Sequence, residues 1–180
     1  MGGGYKMRKI SGAELADLTA LRSVCLPGQG RVSQVLVSDG SFYDPRRIRS
    51  LVEALARHFA VDLVALRQRC SGLLDMRNYL PLPLSSQLVL VPLTLAQMGE
   101  KTGYINLLAI AQVLSKGEFS SITLNDGIEL TCWLSPGAVR ERLLRARFIL
   151  WELSAEGMLP SPGPGEIWRQ KLEIIRAILE

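Results

Sequence analysis

The side chains best suited to chemistry in this chain are donors to anionic oxygen, not acid–base pairs or nucleophiles. A polar stretch, Gly99-Glu100-Lys101-Thr102-Gly103, is bounded by glycines and set between apolar runs. Its Lys101 ammonium and Thr102 hydroxyl can donate to phosphate oxygens or base edges if the stretch projects from a rigid frame. Ser135 and Arg140 open a later basic segment, and Arg46 and Arg49 an earlier one. Arginine's planar fork matches phosphates and guanine edges, and the chain holds 16 arginines against 5 lysines.

Other chemistries lack their signatures. The sequence has no phosphate loop, GxGxxG, HExxH or GxSxG motif. His58 is the one histidine, and Cys25, Cys70 and Cys132 are far apart with no CxxC pair. A zinc site needs about four clustered ligands, so the expectation is no metal, no cofactor and no enzymatic activity. The cysteines read as small buried hydrophobes of a reducing compartment. No apolar run approaches the roughly 18–20 residues that span a bilayer, and the N-terminus lacks the apolar stretch of a secretory signal. A cytoplasmic protein without a membrane partner is expected.

The net charge of +4 over 180 residues is modest but uneven. Residues 45–79 carry seven arginines against three carboxylates, and residues 136–152 carry four against two. Hydrophobic residues make up 48% and charged residues 21%, a composition that argues against disorder.

Elements must position these donors. Apolar runs at 20–26 and 31–37, split by Pro27-Gly28-Gln29-Gly30, predict two strands and a turn. Asp44-Pro45 predicts a helix start, with Asp44 as cap and Pro45 in the first turn. Ile48, Leu51, Val52, Leu55 and Phe59 supply that helix's apolar stripe, while Arg46, Arg49, Glu53 and Arg57 share another face. Leu63, Leu66 and Cys70 fit a second short helix. Prolines keep 79–84 extended, and 87–95 reads as a buried strand with Pro92 at an edge or bulge. The best hairpin lies at 121–131, where Asp126-Gly127 supplies the positive φ angles of a tight type I′ turn. Ser135-Pro136 repeats the cap-and-proline start, with Val139, Leu143, Ala146 and Leu150 on a core face reaching about Leu153. Residues 157–165 read as a Pro/Gly linker, and 166–179 as a last amphipathic helix. The expected fold class is α+β: a mostly antiparallel sheet flanked by helices, with a C-terminal helix after the linker.

The order of these pieces resembles the ComK family of competence transcription factors. The resemblance runs through SQVLVSDGSFY at 33–43, the arginine-rich helix ending in Phe59, LPLPLSSQLVLVPLT at 80–94, GYINLLAI at 103–110, ITLNDGIEL at 122–130 and a basic helix through Arg147-Phe148. It covers about residues 20–153. The closing part is also similar to LytTR-type DNA-binding domains, in which a strand carrying an asparagine, here Asn106, precedes a hairpin and a final segment. The resemblance implies a cofactor-free, DNA-binding transcriptional activator of bacterial promoters. By the LytTR pattern, Lys101 and Thr102 before Tyr104, and Ser135 and Arg140 after the hairpin, would face successive major grooves of double-stranded DNA. It further implies association of copies as a homo-oligomer on DNA, and control by an adaptor protein that delivers the chain to proteolysis.

The division expected is an N-terminal arm at 1–19, a ComK-like DNA-binding domain at 20–153, and the linker and amphipathic helix at 154–180. The competing reading is a non-enzymatic protein-interaction or ligand-sensing module that has lost DNA binding. In that reading the tethered helix could exchange onto a neighbouring copy.

Overall fold

The computed structural model describes residues 5–157. The helix expected at 166–179, and all of its linker except Gly157, lie outside the described residues.

Pro27-Gly28-Gln29-Gly30 turns as its residue types require, with Gly28 and Gly30 at φ +75° and +71°. It joins β1 (Leu18–Leu26) to β2 (Gly30–Val37), paired antiparallel from Leu26↔Gly30 to Leu18↔Val37. The Ser38-Asp39 turn leads at once into β3 (Gly40–Asp44), a strand too short for the apolar pattern to announce. Residues 5–11 are not a free arm. Arg8 N–H donates to Tyr43 O and Tyr43 N–H to Lys6 O, each at 2.9 Å, so the arm lies along β3.

The first helix, α1 (Ile48–His58), starts three residues later than Asp44-Pro45 predicts, and Arg47 stands at its N-cap. Asp44 is engaged elsewhere. Its fully buried carboxylate accepts from Ile10 N–H and Arg46 N–H, both at 3.0 Å, and from the Arg46 guanidinium at 2.9 and 2.7 Å. A carboxylate out of water takes every donor in reach, and here those donors hold the arm and the β3–α1 connection rather than a helix end. The stripe Ile48, Leu51, Val52 and Leu55 is buried as expected. Asp62 caps α2 (Leu63–Leu74), accepting from Val64 and Ala65 N–H.

After a two-residue β4 (Leu82–Pro83), β5 (Val89–Thr94) and β6 (Thr102–Asn106) complete a six-stranded antiparallel sheet ordered β3-β2-β1-β6-β5-β4. Pro92 fits because β4 covers only Val89 and Leu90, so the amide that proline lacks has no strand partner to miss. Gly103 fits for a different reason: a Cβ there would lie 2.5 Å from Leu21 O. Close contact at this point lets β6 pair with β1, through Ala20↔Ile105 and Leu21↔Tyr104. Asn106 is buried and ties the next corner. Its amide nitrogen donates to Gln87 O (3.0 Å) and Leu18 O (3.3 Å), and its oxygen accepts from Val89 N–H and Leu108 N–H.

A second antiparallel sheet is built from β7 (Ile110–Lys116), β8 (Phe119–Leu124) and β9 (Glu129–Cys132). The β8–β9 hairpin forms where expected, but its turn is not type I′. Gly127 alone has positive φ (+86°) in the Asn125-Asp126-Gly127 loop, and it donates to Leu124 O at 2.9 Å. This is the three-residue loop with a glycine bulge, which relieves Asp126 of a left-handed conformation. Ser135 caps α3 (Pro136–Ala155), accepting from Ala138 N–H at 3.3 Å, with Pro136 opening the helix. Val139, Leu143, Ala146 and Leu150 are buried, together with Ile149 and Leu153. One hydrophobic cluster joins both sheets and all three helices, so the α+β expectation is met. Cys70 and Cys132 lie in that cluster and Cys25 is exposed, so two of the three cysteines are core residues. Burial pushes the Cys70 thiol up to about 11, which keeps it protonated and inert. No helix of the described residues is long and apolar enough to cross a membrane.

Candidate nucleic-acid interface

The polar stretch at 99–103 is the connection between two central strands. Leu95 N–H (2.9 Å) and Ala96 N–H (3.3 Å) donate to Lys101 O and close the loop at its base. Lys101 is exposed, and Thr102, half-buried, is the first residue of β6 and pairs with Thr94 of β5. Gly99 sits at φ +73° with the Arg31 guanidinium packed over it, where a Cβ would come within 2.6 Å of an Arg31 nitrogen. Arg31 of β2 therefore joins this end of the sheet.

Trp133 N–H donates to Thr94 O at 2.8 Å. That bond fastens the segment after β9 to the strand end from which the loop departs. Ser135 follows two residues later, exposed, and Arg140 is exposed on α3. The Ser135 oxygen is occupied as an acceptor, but its O–H remains a donor. The structure thus gathers Lys101, Thr102 and Ser135 around the Thr94 end of β5, with Arg140 close behind Ser135 on the helix.

Arg46 and Arg49 follow β3, whose Asp44 end lies at the same end of the sheet as Thr102, with β2 and β1 between them, roughly 14 Å at the usual strand spacing. The Arg46 guanidinium is committed to Asp44, and Arg49 is exposed beside its helical neighbour Glu53 at 3.1 Å.

The sequence reading did not single out three further arginines. Arg67 of α2 and Arg77 line a cleft of about 180 Å³ with Asn78, Tyr79, Thr102 and Tyr104. Arg142 of α3 lies 4.1 Å over the Tyr79 ring and donates to Pro92 O at 2.9 Å. Burial pushes the Arg142 guanidinium down from its ordinary value. Burial likewise pushes the Tyr104 phenol up, against the opposing charge of Arg67 beside it. Among the described residues, no group of three or more His, Cys, Asp or Glu side chains is placed to hold a metal ion. The arrangement offers hydrogen-bond donors and positive charge to an anionic ligand. No family model, curated protein or solved structure matches the chain.

Proposed function

We propose that the chain is a cytoplasmic, DNA-binding regulator of transcription, of the competence-activator type that its segment order resembles. It grips double-stranded DNA with the Thr94–Thr102 end of the larger sheet. Lys101 and Thr102 contact phosphate and base edges from the β5–β6 loop. Ser135 and Arg140 do so from the start of α3, and Arg31 adds charge beside Gly99. The observation that supports this reading is the Trp133 N–H to Thr94 O bond, which brings the segment leading into α3 to the strand end where the β5–β6 loop departs. Phosphate contacts of this kind position the protein, and base contacts then select sequence. The test is fluorescence anisotropy with duplex DNA from the protein's own upstream region at two salt concentrations. Binding that weakens steeply with salt supports the reading; absence of binding, or binding unchanged in a Lys101→Ala/Arg140→Ala double variant, refutes it.

A second reading is a non-enzymatic interaction module. The observation favouring it is β7, a seven-residue edge strand with Leu114 39% exposed and no strand beyond it among the described residues. An open edge of this length can pair with another strand, including that of a second copy. Sedimentation that reports a concentration-dependent dimer without DNA, lost in Leu114→Lys, would favour it. An adaptor that delivers the chain to proteolysis would be a partner in either reading.

A further inference from the structure

We propose that the cleft between α2, residues 77–80 and β6 is a phosphate-binding site, with Arg67 and Arg77 as charge partners and Asn78 and Thr102 as neutral donors. Its size sets the ligand. A cavity of roughly 150 Å³ takes up a benzene ring, so about 180 Å³ holds one phosphate group, and the open mouth of the cleft leaves the rest of an ester outside it. The ester substituent leaves over Tyr79, a residue 53% exposed.

Three observations converge on this site. No carboxylate lines the cleft, and no described acid forms an ion pair with Arg67, Arg77 or Arg142. By contrast, Arg8, Arg46, Arg49, Arg69 and Arg145 each have a carboxylate partner. Arg142 is held by Pro92 O and the Tyr79 ring, so its charge stands beside the wall, with Glu141 near it but not bonded to it. Finally, Tyr79 sits at φ +55°. A bulky side chain in the left-handed region is an outlier that persists only where its surroundings enforce it, and such strain gathers at ligand clamps. Arginine forks matched to tetrahedral oxygens are the standard chemistry for this anion.

The phosphate has two sources, a free phosphate ester or the DNA backbone. Binding is measured first without nucleic acid, so this inference and the DNA reading fail separately. Isothermal titration of the full chain with inorganic phosphate should give saturable binding at one site. Arg67→Ala and Arg77→Ala should each weaken it about ten-fold, the loss expected of one charge-assisted hydrogen bond, and the double variant should abolish it. Lys116→Ala, at the end of β7 in the smaller sheet, should leave it unchanged, and circular dichroism should show all variants folded. Repeating the titration with saturating duplex names the source: loss of the phosphate signal assigns the cleft to the DNA backbone, and an unaltered signal assigns it to a free ester. No saturable binding by the unmodified chain, or undiminished binding in the double variant, overturns the proposal.

Discussion

Removing Lys101 and Arg140 together should flatten the salt dependence of DNA binding by a calculable amount. Each phosphate neutralised on a duplex contributes about 0.9 to the slope of log affinity against log salt. Lys101, Arg140 and Arg31 alone predict a slope of about −2.7; if Arg67 and Arg77 also contact the backbone, it becomes about −4.5. Over a four-fold rise in salt, from about 50 to 200 mM, those slopes mean losses of roughly 40-fold and roughly 500-fold. Anisotropy of a labelled duplex across that range separates them. The Lys101→Ala/Arg140→Ala variant should lose about 1.8 of the slope in either case. A slope unchanged by the double substitution would remove both residues from the contact surface, whatever the absolute affinity. A slope undiminished in it would place the DNA against other cations, with α1 and Arg49 the first region to probe.

Gly103→Ala drives a Cβ to 2.5 Å from Leu21 O and 2.8 Å from Leu95 Cδ1, so it should cost about 3 kcal/mol, a fall of roughly 6–12 °C in Tm by thermal circular dichroism; an unchanged Tm would refute the close approach. Asn106→Ala strands the buried Val89 N–H and its neighbours, and should cost about 2–3 kcal/mol in urea unfolding with faster hydrogen exchange at Val89. Asp44→Asn should cost about 2–3 kcal/mol, less than the roughly 3–5 of a fully enclosed pair because Arg46 keeps some solvent; wild-type stability in chemical unfolding would show the pair to be inert. The Arg8 fork and Ser11 hold the Glu14 carboxylate down at about 2, against its ordinary 4.5. A depressed carboxylate stabilises the fold above its unfolded value, so that contribution should vanish as pH falls from about 4.5 to about 2. Glu14→Gln should remove this part of the acid dependence, and acid titrations of the two proteins that superimpose would contradict it.

Elements whose local chemistry is self-sufficient were legible in the sequence. Ser135-Pro136 needs only its own helix to act as a cap, and Pro27-Gly28-Gln29-Gly30 needs only its own glycines to turn. Asp44-Pro45 carries the same type of signal but fails, because Asp44 is spent on groups 34 and two residues away. Propensity counts what a residue could bond locally, and a buried carboxylate is decided by whatever donors the tertiary fold brings. β3 escaped for a related reason: five residues, one of them glycine, hold too little alternation to be seen without the partner strand that fixes them.

The candidate site divides along the same line. Lys101 and Thr102 were visible because glycines and strands frame them in sequence, and Ser135 because it marks a helix start. Arg46 shows the limit, since a count of charges registers its guanidinium but not the carboxylate that occupies it. Arg67, Arg77 and Arg142 show the converse. They sit in or near stretches whose basic excess is plain in sequence, yet 10 and 65 residues separate successive members. Only the stacking of Arg142 on Tyr79 and the placing of α2 beside β6 make them neighbours. β6 is the common support: Gly103 presses it against β1, Asn106 pins its far end, and Thr102 begins it between the loop and the cleft. A strand fixed at that many points holds the base of the 95–101 loop in place, so the proposed contacts of Lys101 and Thr102 start from a preorganised frame.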